Sequence, residues 1–140
     1  MATFKSFEDM EVWKAARQFA QRVHKISSEG AFSKDYKLRD QINGSSGSVM
    51  DNIAEGFERE GNREFIQFLS IAKGSAGESR SQLYRALDRG YINEQELESL
   101  KEDVLRISKQ ISGLMTYLRK SDLRGTKFVA ESEEPYSSNS

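Results

Sequence analysis

The sequence predicts an all-α fold, an antiparallel up-down-up-down four-helix bundle. Three observations carry this. Leu97, Leu100, Val104, Ile107, Ile111, Leu114 and Leu118 repeat at alternating spacings of three and four, which is the seam of a helix packed lengthwise against others. Three earlier segments carry similar apolar stripes. The single proline, Pro135, lies near the C-terminal end, so no interior proline breaks a helix.

The first helix is expected over about residues 7–28, with Val12, Ala16, Phe19, Val23 and Ile26 as its stripe. Glu8, Asp9 and Glu11 fall in its first turn, where carboxylates suit the positive end of the helix dipole. Ser27, Ser28 and Gly30 end it, and a short loop follows to Lys34. The second helix spans about residues 35–60 on Leu38, Ile42, Val49, Ile53 and Phe57, with Ser45 or Ser46 filling the middle layer. Gly61 and Asn62 interrupt the chain, and Asn62 is placed to cap the next helix. That third helix covers about residues 63–89 on Phe65, Leu69, Ala72, Ala76, Ser79, Leu83 and Ala86, with Phe68, Ile71 and Leu87 widening the face. Gly90 terminates it. The fourth helix, about residues 93–121, opens on Asn93 with Glu96 three residues later, the pattern of a capping box. Residues 1–122 thus form one bundle domain. Residues 123–140, rich in Glu, Ser and Asn, read as a disordered C-terminal tail.

A chain of 140 residues suits one core, and 36% hydrophobic with 31% charged residues fits a bundle with wide solvated faces. There are no cysteines and only one histidine, His24, which excludes disulfides, thiol catalysis and thiolate or His-rich metal sites. No segment approaches the ~18 apolar residues of a membrane span, and the N-terminus lacks an apolar secretion core; a cytoplasmic location is expected. The formal net charge is −1. Without the tail acids Glu131, Glu133 and Glu134 it is +2, still weak for a nucleic-acid binder.

The two middle helices carry Gly44-Ser45-Ser46-Gly47-Ser48 and Gly74-Ser75-Ala76-Gly77. Glycine within a helix costs about 1 kcal/mol relative to alanine. The expected reason is close packing of the second helix on the third; acceptance of side chains from another subunit is the alternative. Nearby, Asn52, Glu55, Arg59, Ser75 and Glu78 are candidates for a structural polar network or subunit contact. Lys73, Arg80, Arg85 and Arg89 are the candidate nucleic-acid-binding residues, with Lys109, Arg119, Lys120, Arg124 and Lys127 as later basic residues. Phe4, Phe7 and Trp13 are expected to cover the core or a subunit seam. Facing Glu-x-x-His pairs, the ligands of di-metal carboxylate bundles, are lacking.

Three ordered motifs carry a resemblance: Phe7-Glu8-Asp9-Met10-Glu11-Val12-Trp13-Lys14-Ala15, Asn52-Ile53-Ala54-Glu55-Gly56-Phe57-Glu58-Arg59, and Phe68-Leu69-Ser70-Ile71-Ala72-Lys73-Gly74-Ser75 followed by Glu78 and Leu83. Together they resemble the four-helix-bundle proteins encoded in 23S rRNA intervening sequences. Where relatives often carry a Ser-Ile-Pro-Ser kink before the second motif, this chain reads Ser48-Val49-Met50-Asp51. The resemblance implies a ring-shaped homopentamer and association with RNA or the ribosome. It is distantly similar to retroelement accessory proteins that bind a reverse transcriptase and nucleic acid. It brings no catalytic residues. The expected function is therefore a non-enzymatic, oligomeric binding or scaffolding module for RNA or a nucleoprotein, with no cofactor, metal, membrane or small-molecule substrate. A protein–protein adaptor without a nucleic-acid role is the alternative, and a hydrolase using Asp51, Glu55 and Glu78 is the third reading.

Overall fold

The computed structural model describes residues 4–132, with side chains through Ser121. Four helices carry the fold: α1 (Glu11–Ser27), α2 (Tyr36–Glu58), α3 (Asn62–Asp88) and α4 (Glu94–Ser132). No strand occurs among the described residues. α2 and α3 share the most extensive seam; α3 also packs on α4, and α1 on both α2 and α4. These four seams close a bundle around one apolar core, which includes Phe19, Val23, Leu38, Ile42, Ile53, Leu69, Leu83, Leu100, Ile107 and Ile111.

Both ends of α1 differ from the sequence expectation. Phe7–Asp9 form a separate 3-10 turn, so Glu8 and Asp9 precede the helix. Met10 is its N-cap and is buried. Phe7 meets Trp13 edge-on with ring centroids 5.0 Å apart, and both pack against the core. The link to α2 is no loose loop. Gly30–Lys34 form a second 3-10 turn that sends Phe32 into the core, 1% exposed and stacked on Tyr91 at 5.2 Å.

At the start of α3 the expected Asn62 cap is not made. Gly61, at φ 94°, takes the N-cap position, and Asn62 is the first helical residue. Its side chain is buried, and Nδ2 donates to the Leu118 carbonyl of α4 at 3.4 Å. A left-handed turn that only glycine adopts at little cost frees the asparagine to point inward. Gly90, at φ 78°, ends α3 in a Schellman arrangement, with Tyr91 N donating to Ala86 O at 2.9 Å. The capping box of α4 is present: Glu96 N donates to Asn93 Oδ1 at 2.8 Å, and Asn93 N donates to Glu96 Oε1 at 2.9 Å.

The α4 stripe holds through Ile111, then passes from Leu114, half-buried, to Met115, buried. A straight helix drifts about 20° per heptad against a strict 3.5-residue repeat, and one substitution of phase absorbs it. Helical backbone continues to Ser132, past residue 121 where a tail was expected; the rest of that tail, residues 133–140, lies outside the described residues.

The α1–α4 seam is the least extensive of the four. Two surface grooves lie along it. One, of about 560 Å³, is lined by Arg22, Lys25 and Ile26 of α1 and by Ser99 and Leu100 of α4. The other, of about 240 Å³, is lined by Met10, Val12, Gln110 and Leu114, with Phe4. Between them Arg22 pairs with Asp103 and donates to Ser99 Oγ at 2.8 Å.

Candidate functional site

The polar residues singled out in the sequence converge on the α2–α3 seam, where they form a ladder of side-chain bonds. Asp35 is the first rung. As N-cap of α2 it accepts from Leu38 N at 3.2 Å, and its Oδ2 accepts from Arg89 Nη1 and from the Tyr91 hydroxyl, each at 2.8 Å. Next, Arg85 Nη1 donates to Gln41 Oε1 at 3.0 Å. Deeper, Ser45 Oγ lies 2.8 Å from Ser79 Oγ and donates to Gln82 Oε1 at 2.6 Å, while Gln82 Nε2 donates to Glu78 at 3.4 Å. Ser75 Oγ then donates to Ser48 Oγ at 2.9 Å, and Asn52 Nδ2 donates to the same Ser48 oxygen and to its carbonyl, each at 2.8 Å. The last rung is Arg59. It pairs with Glu55 at 2.9 Å and lies over the Phe68 ring at 4.9 Å.

Of the five candidates, Asn52 and Ser75 meet through Ser48, Glu78 joins a separate cluster through Gln82, and Glu55 with Arg59 forms a pair of its own. Ser48 and Gln82, which the sequence reading did not single out as site residues, are the centres of these two clusters. The available signal was spacing. Ser75, Ser79 and Gln82 fall at i, i+4 and i+7, a polar stripe at the edge of an apolar helix face.

The glycines do not behave as expected. A Cβ at Gly44, Gly47, Gly74 or Gly77 would meet nothing within 4 Å, so these four do not bring α2 and α3 together. That role belongs to Gly56. A Cβ there would lie 2.7 Å from Phe68 Cβ and 2.9 Å from Phe65 Cδ1. Phe57 meets Phe65 edge-on at 6.1 Å just beside it. The Asn52–Arg59 motif is thus the chemistry of a close helix crossing. Ile71, expected to widen the core face, is instead 52% exposed, one turn from Ser75.

The four candidate nucleic-acid-binding cations do not form one patch. Arg85 and Arg89 are rungs of the α2–α3 ladder. Lys73 and Arg80, seven residues apart, share a different face of α3, turned from Arg85 by roughly 120° at ~100° per residue. The side chains of Arg124 and Lys127 lie outside the described residues. His24 is exposed.

Electrostatics mark the first rung. The backbone N–H of Leu38 and the Tyr91 hydroxyl, with Arg89 beside them, hold the Asp35 carboxyl below its usual range. The same bond pushes the Tyr91 hydroxyl up. A carboxyl depressed on folding stabilises the fold above its unfolded pKa, near 3.9, and that contribution fades as pH falls through the lower folded value. Asp35→Asn is therefore expected to lower Tm by a constant amount between about pH 5 and 8, with the gap to wild type closing below about pH 4. Thermal melts at pH 7 and pH 3 check this; an equal gap at both would remove Asp35 as the titrating rung.

No cluster of three or more His, Asp or Glu suited to a metal ion occurs among the described residues. Of the carboxylates weighed for hydrolysis, Glu55 is held by Arg59 and Glu78 by Gln82. What the seam does chemically is bind two helices together.

The sequence model of the family described as 23S rRNA-intervening sequence protein matches residues 8–113. Among solved structures, the chain is similar to a protein of unknown function from the S23 ribosomal protein family of Bacteroides thetaiotaomicron VPI-5482. The likeness has a TM-score of 0.65 at 25% identity, covering 74% of this chain and 97% of that one. No curated protein matches.

Proposed function

Because the chain belongs to the 23S rRNA-intervening sequence protein family, we propose that it is a non-enzymatic binding and scaffolding module that assembles with copies of itself and engages RNA or a nucleoprotein. The observation that carries this reading is the bonding of the α2–α3 ladder. Its carboxylates, hydroxyls and amides are spent on one another, as in a part built to hold shape. The four helices alternate in direction. In support, residue numbers fall along α3 as they rise along α2, from Asp35–Arg89 through Ser48–Ser75 to Gly56–Phe65. The bundles then assemble into a ring-shaped homopentamer, as the family resemblance implies. The open glycines and exposed Ile71 leave the outer side of α2–α3 low enough for a second copy to approach. No helix among the described residues is long and apolar enough to cross a membrane, and the proposed setting is the cytoplasm.

Light scattering tests the assembly. The expected mass is close to five times the 15.9 kDa chain, falling on Ile71→Arg; a monomer at micromolar concentration refutes the ring. The net charge of −1 favours one further reading, a protein–protein adaptor with no nucleic-acid role. Negligible binding to structured RNA at ~50 mM salt would favour it.

A further inference from the structure

The net charge conceals a sharp asymmetry. Between Phe65 and Gly77 on α3, and between Val104 and Ser121 on α4, there is no Asp or Glu. Lys73, Arg80, Lys109, Arg119 and Lys120 come from or adjoin these two stretches, and none has an ion-pair partner among the described residues. Outside them Arg22, Arg39, Arg59, Arg89 and Lys101 each meet a carboxylate, and Arg106, at the start of the α4 stretch, pairs back to Asp103.

The register of the seam brings the five together. Tyr84 on α3 lies against Lys101 on α4, its ring 5.6 Å from Nζ, and Asn62 on α3 reaches the Leu118 carbonyl. Lys73 lies midway between Tyr84 and Asn62, level with Lys109, midway between Lys101 and Leu118. Lys73, Arg80 and Tyr84 share one stripe of α3, at spacings of seven and four. Arg119 repeats the position of Lys101 eighteen residues on, five full turns, and Lys109 and Lys120 are three turns apart. Lys73, Arg80 and Arg119 therefore border the α3–α4 seam, while Lys109 and Lys120 lie about 80–100° further round α4. At 1.5 Å per residue the set spans roughly 20 Å. Lys73, Lys109, Arg119 and Lys120 are exposed, and Arg80 is half-buried. The side chains between them are small: Ser70, Gly77, Ser112, Gly113 and Thr116.

We propose that this α3–α4 face is a docking surface for the phosphate backbone of a double-helical RNA, with Lys73, Arg80, Lys109, Arg119 and Lys120 as its contacts and with Arg85 and Arg89 outside it. The inference rests on the reading that the partner is RNA and specifies where that partner sits. A band of cations about two helices wide, with no acid between Val104 and Ser121, suits the closely spaced phosphates of a duplex. Low, hydrophilic residues between the cations let a broad helix approach. Base stacking on single strands calls for a row of aromatic rings; this α3 stripe carries one exposed ring, Tyr84, and it lies against Lys101.

The test is binding of a 20-base-pair RNA duplex to the full chain over about 50–250 mM salt, with circular dichroism melts to show that each variant is folded. Up to five phosphate contacts per chain give log K a slope against log salt approaching about −4. Lys73→Gln with Lys109→Gln is expected to weaken binding at least tenfold and to reduce the slope by about 2. Arg85→Gln is expected to leave the slope unchanged. If the duplex binds the wild type and the Lys73/Lys109 variant with equal slope, this surface is overturned while RNA binding stands. If no RNA binds, or only anionic vesicles or an acidic protein do so through these lysines, the RNA reading falls with it.

Discussion

Phe32→Ala is expected to cost about 3–5 kcal/mol of folding stability, the range for truncating a buried phenylalanine. The residue sits in a five-residue connection, where substitutions are ordinarily tolerated. Yet Phe32 is 1% exposed and stacked on Tyr91, whose hydroxyl is bonded to Asp35 at the N-terminus of α2. Truncation leaves a void under the α1–α2 connection, and it removes the ring that fixes the Tyr91 hydroxyl against its carboxylate. Chemical denaturation of the variant checks the figure. A loss below about 1 kcal/mol would show that the connection can collapse onto the gap.

Gly56→Ala is the second large effect, expected at about 1–3 kcal/mol destabilising, the range for overpacking. The added methyl would fall 2.7 Å from Phe68 Cβ and 2.9 Å from Phe65 Cδ1. The Phe65 ring can tilt, but the Phe68 Cβ is tied to the backbone of α3, so the two helices must separate. The informative comparison is Gly47→Ala, where nothing lies within 4 Å. In an isolated chain it is expected to stabilise by about 0.5–1 kcal/mol through helix propensity alone. Equal destabilisation by both substitutions would mean that the close crossing is not centred on Gly56.

The contrast between these glycines shows where sequence reasoning reaches its limit. The apolar periodicity of α4, the capping box at Asn93 and the core stripe from Phe65 to Ala86 are properties of one helix at a time, and they were legible. Which glycine meets a neighbour depends on the relative rotation of two helices. Gly44 and Gly47 look more like a contact than Gly56 because they are clustered, but clustering says nothing about phase. The same limit applies to the cations. Lys73, Arg80, Arg85 and Arg89 are close in sequence, yet the first two and the last two look outward on different sides of α3. Asn62 deceived for another reason. Its cap was plausible locally, but a left-handed Gly61 supplied the turn, and a carbonyl on α4 offered the amide a buried partner.

The polar ladder was visible in outline through Asn52 and Ser75. Its centre was not, because Ser48 and Gln82 carry no individual mark; they matter only because α2 and α3 bring them within reach of Ser75 and Ser45.

The thin seam between α1 and α4 has a consequence of its own. It joins the first and last helices of the chain, it is grooved on its surface, and the ladder does not reinforce it. Local opening begins where apolar contact is sparsest. The bundle should therefore unzip at this edge, with amide protons of α1 exchanging ahead of those of α2 and α3. The α2–α3 pair would persist as the last cooperative unit, and a detached α1 could be traded between neighbouring molecules.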